Sequence, residues 1–159
     1  MRFYYLLKAG YASRLENPTF SISTIRRCNF NLLRIEEELS AAHLRLSRVY
    51  IENLPYADIF KRFDRPHTFF YVDPPYYRCE NYYGKGIFSR EDFGRLRDIL
   101  NGLKGKFMMS INDTKEIREI YRGFHIEKVK TKYSVSTRAG GKRDSVTELL
   151  VMNFKPKIK

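Results

Sequence analysis

The chain has few of the side chains from which metal centres and many nucleophilic sites are built. Its 159 residues include no tryptophan, only two cysteines and only three histidines. Cys28 and Cys79 show no C-x-x-C spacing, and His43, His67 and His125 stand far apart, so we expect no metal site and no catalytic histidine. The two thiols are predicted to be ordinary packed side chains in a reducing compartment.

Long hydrophobic runs and acidic residues are also scarce. No apolar stretch approaches the roughly 20 residues of a membrane span. The N-terminal stretch "MRFYYLLKAGYASR" is too short and too interrupted by polar residues to be a signal peptide. A cytoplasmic protein is therefore expected.

Lysine and arginine total 30 against 18 aspartate and glutamate, which gives a formal net charge of +12. This excess indicates a polyanionic partner, most simply nucleic acid, although an acidic lipid surface would also satisfy it.

The spacing of apolar residues predicts alternating helices and strands in the first half of the chain. Residues 30–47 carry apolar side chains at helical spacing and are predicted to form an amphipathic helix. The stretch "RVYIENL" is typical of a strand, and Pro55 can take the first position of a short helix. The stretch "HTFFYV" is a continuous apolar run of strand length, as expected for a strand covered on both faces.

The same alternation continues after residue 88. Ser89 and Asp92 have the spacing of a capping box, which predicts a helix through about residue 101, and Gly102 supplies its end. The stretch "KFMMSI" then predicts another buried strand. A further helix is expected over about 114–122, which Asp113 could cap and Gly123 could end.

The tail of the chain predicts a long hairpin. "HIEKVKTKYSVS" and "VTELLVMNF" alternate as strands do, and the polar loop "TRAGGKRDS" between them contains glycines. Alternating strands and helices that close on a hairpin predict an α/β fold with a mostly parallel sheet and an antiparallel C-terminal hairpin. We expect a single domain over residues 1–159.

The tetrapeptide "DPPY", Asp73 to Tyr76, directly follows the strand predicted in "HTFFYV". Ligands of open α/β sheets collect at the carboxyl ends of strands, so these residues lie where chemistry is usually found. A specified tetrapeptide should arise by chance in a chain of this length only about once in a thousand. The alternative is a strand-ending turn, since aspartate favours turns, prolines stop strands and tyrosine can cover the core.

The four residues of this tetrapeptide can together hold a planar amino group. The carboxylate of Asp73 accepts hydrogen bonds only, and Pro74 offers a carbonyl without a backbone donor. These two acceptors can receive both hydrogens of one NH2 group, while the rigid Pro74–Pro75 unit fixes the geometry. Tyr76 gives the heterocycle that bears the amine a flat surface to stack on, as expected for a base taken out of its duplex.

A "DPPY" tetrapeptide after a hydrophobic strand resembles the catalytic motif of amino-methyltransferases, and the rest of the chain resembles the DNA adenine methylases of the Dam type. "FYYLLKAGYASR" is similar to the start of that family's target-recognition region, and "MMSINDTKEIREIY" is similar to its strand–helix unit after the motif. "KTKYSVSTRAGGKRDSVTELLVMNF" resembles its closing hairpin. The resemblance covers nearly all of the chain.

The resemblance implies a partial, Rossmann-like methyltransferase fold. Residues 1–30 would be a remnant of the target-recognition region, and residues 31–159 would be the catalytic portion. It also implies transfer of a methyl group from S-adenosylmethionine to adenine N6 in double-stranded DNA after the base is flipped out. The motif roles would fall to Asp73, Pro74, Pro75 and Tyr76.

The chain departs from that family at the cofactor. An acidic residue followed by an aromatic lies near the cofactor's adenine in the family, and the matching positions here are Asn53 and Leu54, so these two and Asp73 are the cofactor-binding candidates. The family's F-x-G-x-G turn is not visible, and the G-x-G at Gly84 to Gly86 is predicted to be a loop. We therefore expect the chain alone to bind S-adenosylmethionine weakly or not at all, and to be active if a separate chain or an oligomeric neighbour supplies the cofactor-binding segment.

Basic residues in two regions are candidates for contact with DNA phosphates. The first group lies in the part that resembles the recognition region and alternates with aromatic residues. The second group surrounds the hairpin loop, where a solvated face is the alternative. The members are Lys8, Arg14, Arg26 and Arg27 in the first group, and Lys132, Arg138, Lys142 and Arg143 in the second.

Two classes of function remain open. One is an adenine-specific DNA methyltransferase that works with a partner chain. The other is a truncated, catalytically silent DNA-binding module, left by a decayed phage (prophage) or restriction-modification gene. Methylation of cytosine N4 or of a glutamine amide is a narrower alternative, but the acid at Asp73 favours adenine because serine or asparagine commonly begins those motifs.

Overall fold

The chain is divided into two compact units. The structure, a computed structural model, describes residues 2–9, 31–84, 86–132 and 145–156. The units are Met1–Glu52 and Asn53–Lys159. The boundary that the sequence predicts after residue 30 lies at the end of a stretch outside the described residues and stays a prediction.

The regular elements described in the first unit are all helical. Its described elements are α1 (Arg2–Ala9), a 3-10 turn (Leu32–Arg34) and α2 (Ile35–Leu46). Glu38 of α2 joins the two helices, because its carboxylate accepts a hydrogen bond from the Tyr4 hydroxyl and lies 2.8 Å from the Lys8 ammonium. The helix predicted over 30–47 is confirmed in part: α2 covers Ile35–Leu46, and residue 30 lies outside the described residues. No side chain of α2 is buried.

The second unit is a mixed four-stranded sheet with helices. Its longer elements are α3 (Tyr56–Phe63), β1 (Phe69–Val72), α4 (Arg90–Asn101), β2 (Lys106–Asn112), α5 (Lys115–Ile120), β3 (His125–Lys132) and β4 (Ser145–Met152). The strand order is β1-β2-β4-β3. β1 runs parallel to β2, whereas β4 runs antiparallel to both of its neighbours. The predicted C-terminal hairpin is thus confirmed.

One face of the sheet contributes to the hydrophobic core. The strand residues that point to it alternate in sequence, as the two-residue period of a strand requires. Helix α4 covers this face with Phe93, Leu96 and Leu100, and the ring of Phe60 in α3 lies 4.9 Å from that of Phe70 in β1. The buried strand residues are Phe107, Met109, Ile111, Leu149 and Val151.

Local signals predicted most helix boundaries correctly. The capping box at the start of α4 is formed, with the Ser89 amide donating to Asp92 at 2.8 Å, and Gly102 follows the end of the helix. Pro55 precedes α3 as its N-cap rather than taking the first helical position. None of the described helices is both long and apolar enough to cross a membrane.

The strand predicted in "RVYIENL" is wrong. The described backbone there is irregular, and Tyr50 and Ile51 are 90% and 77% exposed. A strand needs a neighbour to satisfy its backbone N–H and C=O groups, and the four described strands pair only among themselves. The spacing of hydrophobic residues alone does not reveal whether a neighbouring strand is available for pairing.

The prediction that β1 is covered on both faces is also wrong. Phe69 and Tyr71 are 54% and 63% exposed, and β1 bonds to β2 alone among the described strands. A continuous apolar run does not by itself distinguish a buried strand from an edge strand with one open face. The described sheet has one parallel and two antiparallel pairings, so it is mixed rather than mostly parallel.

Helix α5 is capped one residue later than predicted. Thr114, not Asp113, is the N-cap, and its side chain accepts a hydrogen bond from Ile117. Asp113 instead binds Arg118 at 2.6 Å, and this hydrogen bond lowers the pKa of the Asp113 carboxyl. The helix ends at Ile120, before the predicted Gly123.

Gly105 is required where the chain enters β2. A Cβ atom at this position would lie 2.7 Å from the Thr68 carbonyl oxygen and 2.9 Å from that of Arg65. Because both are backbone atoms, Gly105→Ala should lower the free energy of unfolding by about 1–3 kcal/mol. Urea unfolding would measure this loss. Gly94 is the control: it lies in helix α4, and nothing is within 4 Å of a Cβ atom added there. Gly94→Ala should therefore raise the free energy of unfolding by about 0.5–1 kcal/mol. Equal effects of the two substitutions would contradict the requirement for glycine at position 105.

The hydrogen bond between Tyr56 and Asp92 should make stability depend on pH in alkali. The Tyr56 hydroxyl donates to Asp92 at 2.9 Å, and burial together with this bond raises the pKa of Tyr56 to about 12. The folded state holds this proton more tightly than the unfolded chain does. The contribution of the hydrogen bond to the free energy of unfolding is therefore complete below pH 10 and is lost as pH rises towards 12.

The difference in unfolding free energy between the wild type and Tyr56→Phe should therefore shrink above about pH 10. Urea unfolding between pH 8 and pH 11.5 would measure it, with Tyr50→Phe at a 90% exposed side chain as the control. A difference that stays constant over this interval would contradict the role of the Tyr56 proton.

Candidate active site

The "DPPY" residues lie at the carboxyl end of β1 beside a cavity. Asp73 is exposed, Pro74 is buried, and Pro75 and Tyr76 are half-buried. The cavity has a volume of about 370 Å³, which is within the range of small-ligand pockets. Its lining is mainly apolar and aromatic: Leu54, Tyr56, Ile59, Phe60, Phe70, Tyr71, Val72, Asp73, Pro74, Pro75, Phe88 and Leu96.

Two of the three predicted cofactor-binding residues line this cavity. Leu54 and Asp73 are among its walls, whereas Asn53 is exposed and does not line it. Among the described residues of the lining, Asp73 is the one acidic side chain and none is basic. The walls therefore suit a flat, apolar ring better than a charged group.

The carboxylate of Asp73 is held by strand β2. Ser110 donates from its hydroxyl to Asp73 Oδ1 at 3.2 Å, and the Tyr71 hydroxyl lies 3.0 Å from the Ser110 hydroxyl oxygen. Ser110 is only 6% exposed, whereas Tyr71 and Asp73 are exposed, so a buried hydroxyl anchors a carboxylate that faces solvent. Among the described residues no other donor reaches Asp73, and its Oδ2 atom stays open to a ligand.

The two tyrosines of the motif region are held by facing residues of β2 and β4. Asn112 donates from Nδ2 to the Tyr77 carbonyl at 3.1 Å and accepts from the Tyr77 amide at 2.8 Å. The Tyr76 hydroxyl donates to Glu148 Oε1 at 2.6 Å. Asn112 and Glu148 are opposite each other in the antiparallel pair, so their side chains share one face of the sheet.

The backbone after the tyrosines makes a tight turn. The Cys79 amide donates to the Tyr76 carbonyl at 2.7 Å, and Arg78 has a φ of 73°. A left-handed conformation costs a residue other than glycine about 1 kcal/mol or more, so it persists because surrounding bonds hold it. Arg78 also contacts Glu116 of α5 through a guanidinium–carboxylate distance of 3.1 Å.

The predicted DNA contacts are mostly outside the described residues. Lys8 is described and pairs with Glu38, whose hydrogen bond raises the pKa of the Lys8 ammonium. Lys132 lies in β3. Those outside the described residues are Arg14, Arg26, Arg27, Arg138, Lys142 and Arg143. The DNA-contact assignments therefore stay predictions.

Metal-binding groups do not cluster in the described ranges, where no set of three His, Cys, Asp or Glu side chains meets. Cys79 is a free thiol, but it is exposed, so the prediction that it is packed is wrong. The turn after Tyr76 carries it to the surface, and Cys28 lies outside the described residues.

Three residues near the motif were not identified from the sequence: Ser110, Asn112 and Glu148. Two of them interrupt the apolar stretch "KFMMSIN" at alternate positions. Polar side chains on one face of an otherwise apolar strand are a signal that this face has polar partners. Glu148 offered no comparable signal, because its proximity to Tyr76 depends on the pairing of β4 with β2.

Two comparisons with known proteins bear on the family of this chain. Residues 1–135 match the family model described as D12 class N6 adenine-specific DNA methyltransferase. The chain is also 28% identical over 158 residues to a type II methyltransferase, M.CviBI, from Paramecium bursaria Chlorella virus NC1A. That alignment covers 96% of this chain and 60% of the viral protein, so the chain spans about three fifths of its relative. The match extends over most of the chain and includes the motif at the end of β1: the chain belongs to the D12 class of N6 adenine-specific DNA methyltransferases.

Proposed function

We propose that this chain carries the base-binding half of a DNA adenine-N6 methyltransferase site. The observation that supports it most is the position of Asp73, at the wall of the cavity with Oδ1 bound to Ser110 and Oδ2 open. A carboxylate anchored through one oxygen presents the other in a fixed direction. Such an acceptor suits one N–H bond of an adenine amino group.

The second N–H bond is assigned to the carbonyl of Pro74. Within the described part of the chain no donor occupies this carbonyl, and proline removes the competing backbone N–H at the same residue. Two fixed acceptors hold the amino nitrogen so that its lone pair points away from the ring plane. S-adenosylmethionine, when bound, supplies the electrophilic methyl group, and the negative charge of Asp73 stabilises the positive charge that develops on N6.

Tyr76 is assigned as the surface on which the flipped adenine stacks. Its ring is half-buried and its hydroxyl is bound to Glu148. Stacking on an aromatic side chain compensates the base for the neighbours that it leaves in the duplex.

The cavity beside Asp73 is proposed to take the adenine ring of S-adenosylmethionine. Its aromatic and aliphatic walls, including Leu54 and Phe70, fit a flat heterocycle. The described walls provide no cation for a carboxylate and, apart from Asp73, no acid for an ammonium group. We therefore propose that a glycine-rich segment outside these 159 residues, on a partner chain, completes the cofactor site.

A catalytically silent DNA-binding module is the second candidate. It is favoured by Asn53, which replaces the family's acid and does not line the cavity. Under this alternative, the excess of basic residues would bind DNA while the cofactor site stays incomplete.

Titration calorimetry separates the two candidates. The chain would be titrated with S-adenosylmethionine alone and then in a mixture with the N-terminal half of a related enzyme. Binding in the mixture but not alone, with methyl transfer to unmethylated DNA, is the expected result. No binding and no transfer in either arrangement would favour the silent module.

Asp73→Ala should lower the rate of methyl transfer by the complemented chain at least about 10²–10³-fold, because the negative charge that stabilises the positive N6 is lost. Binding of double-stranded DNA should keep its affinity and its dependence on salt, since phosphate contacts are made elsewhere. Transfer of tritiated methyl groups and filter binding would measure the two effects. The matched control is Asp98→Ala, which removes an exposed carboxylate of α4 that binds Arg97. Methylation that survives in Asp73→Ala would rule out the assigned role.

A further inference from the structure

Glu148 occupies an unusual place relative to the motif. It lies 72 residues after Tyr76, yet its Oε1 atom accepts the Tyr76 hydroxyl at 2.6 Å, and both side chains are half-buried. A bond of this length to a carboxylate is in the range of charge-assisted hydrogen bonds, which are about twice as strong as neutral ones. This contact fixes the far end of the Tyr76 ring.

The acceptor is held on a rigid part of the sheet. Glu148 faces Asn112 of β2 on one side and Val129 of β3 on the other, so its backbone lies in an internal strand. Internal strands have neighbours on both sides and move less than loops. The hydroxyl of Tyr76 is therefore tied to one of the least mobile parts of the second unit.

Asn112 and Glu148 have different tasks in this arrangement. Asn112 binds the backbone of Tyr77 at both N and O, which already fastens the loop to the sheet. Glu148 instead binds the hydroxyl at the end of the Tyr76 ring. Its bond restricts rotation of the ring about the side-chain torsions rather than the path of the backbone.

We propose that Glu148 is a positioning residue that orients the Tyr76 ring to stack on a purine. The inference rests on the proposed role of Tyr76 as the stacking surface. A ring that is already fixed loses little conformational entropy when the base arrives, so binding is strengthened by the restriction itself. The C-terminal hairpin thereby contributes directly to the base-binding site.

The test measures stacking without methyl transfer. The 159-residue chain is titrated into a single-stranded thymidine dodecamer with one central 2-aminopurine, whose fluorescence is quenched when the base stacks on tyrosine. Tyr76→Leu, which removes the ring, should eliminate the quenching. Glu148→Ala should weaken binding of the probe by about fivefold, as expected for one lost hydrogen bond, whereas Glu148→Gln keeps an acceptor oxygen and should retain most of it.

A double-mutant cycle distinguishes positioning from a general loss of structure. Tyr76→Phe removes the same bond from the other side and keeps the ring, so it should match Glu148→Ala. The double variant should be no weaker than either single one, because the two changes delete one interaction. If Glu148→Ala does not fold by urea unfolding, Tyr76→Phe carries the test by itself.

Two results would overturn the inference: quenching that is unchanged in both Glu148→Ala and Tyr76→Phe, or quenching that persists in Tyr76→Leu. The outcome is independent of the cofactor. A wild-type chain that quenches the probe but never methylates DNA would count against the proposed methyl transfer, while weaker quenching in Glu148→Ala and Tyr76→Phe would still support the role of Glu148.

Discussion

The parallel pairing of β1 with β2 is the constraint on which the rest of the site depends. The register places Val72 opposite Met109, so the next residues along, Asp73 and Ser110, come together at the end of the pair. Met109 points into the core and is fully buried, which sends Ser110 to the opposite face of β2. A slip of one residue would exchange these faces and would remove the hydrogen bond that holds the Asp73 carboxylate.

The backbone of the "DPPY" motif needs few hydrogen-bond partners at the end of β1. Two successive prolines have no N–H groups to satisfy, and Asn112 supplies both bonds that the Tyr77 backbone needs. Among the described residues no buried side-chain N or O atom lacks a partner. An exposed Asp73 beside this satisfied scaffold is therefore free to change partner without leaving a buried group unpaired.

What could be predicted from the sequence was local. The capping box at Ser89, the hairpin strands and the place of the "DPPY" residues after a strand each follow from residues close together in the chain, and all agree with the structure. The strand predicted in "RVYIENL" failed because pairing depends on a neighbour that periodicity does not reveal. Glu148 was missed for the same reason, since its contact with Tyr76 exists only through the register of β4 on β2.

The order of the strands explains why a motif at residue 73 depends on residues near the end of the chain. β4 is the last strand in sequence but lies inside the sheet, between β2 and β3. Its pairing with β2 and the contact of Glu148 with Tyr76 therefore join parts of the chain that are far apart in sequence. The tetrapeptide alone therefore specifies acceptors and a ring, and the sheet specifies where they point. The same division applies to the proposed cofactor site, for which we propose that this chain supplies the apolar walls and a partner supplies the charged contacts.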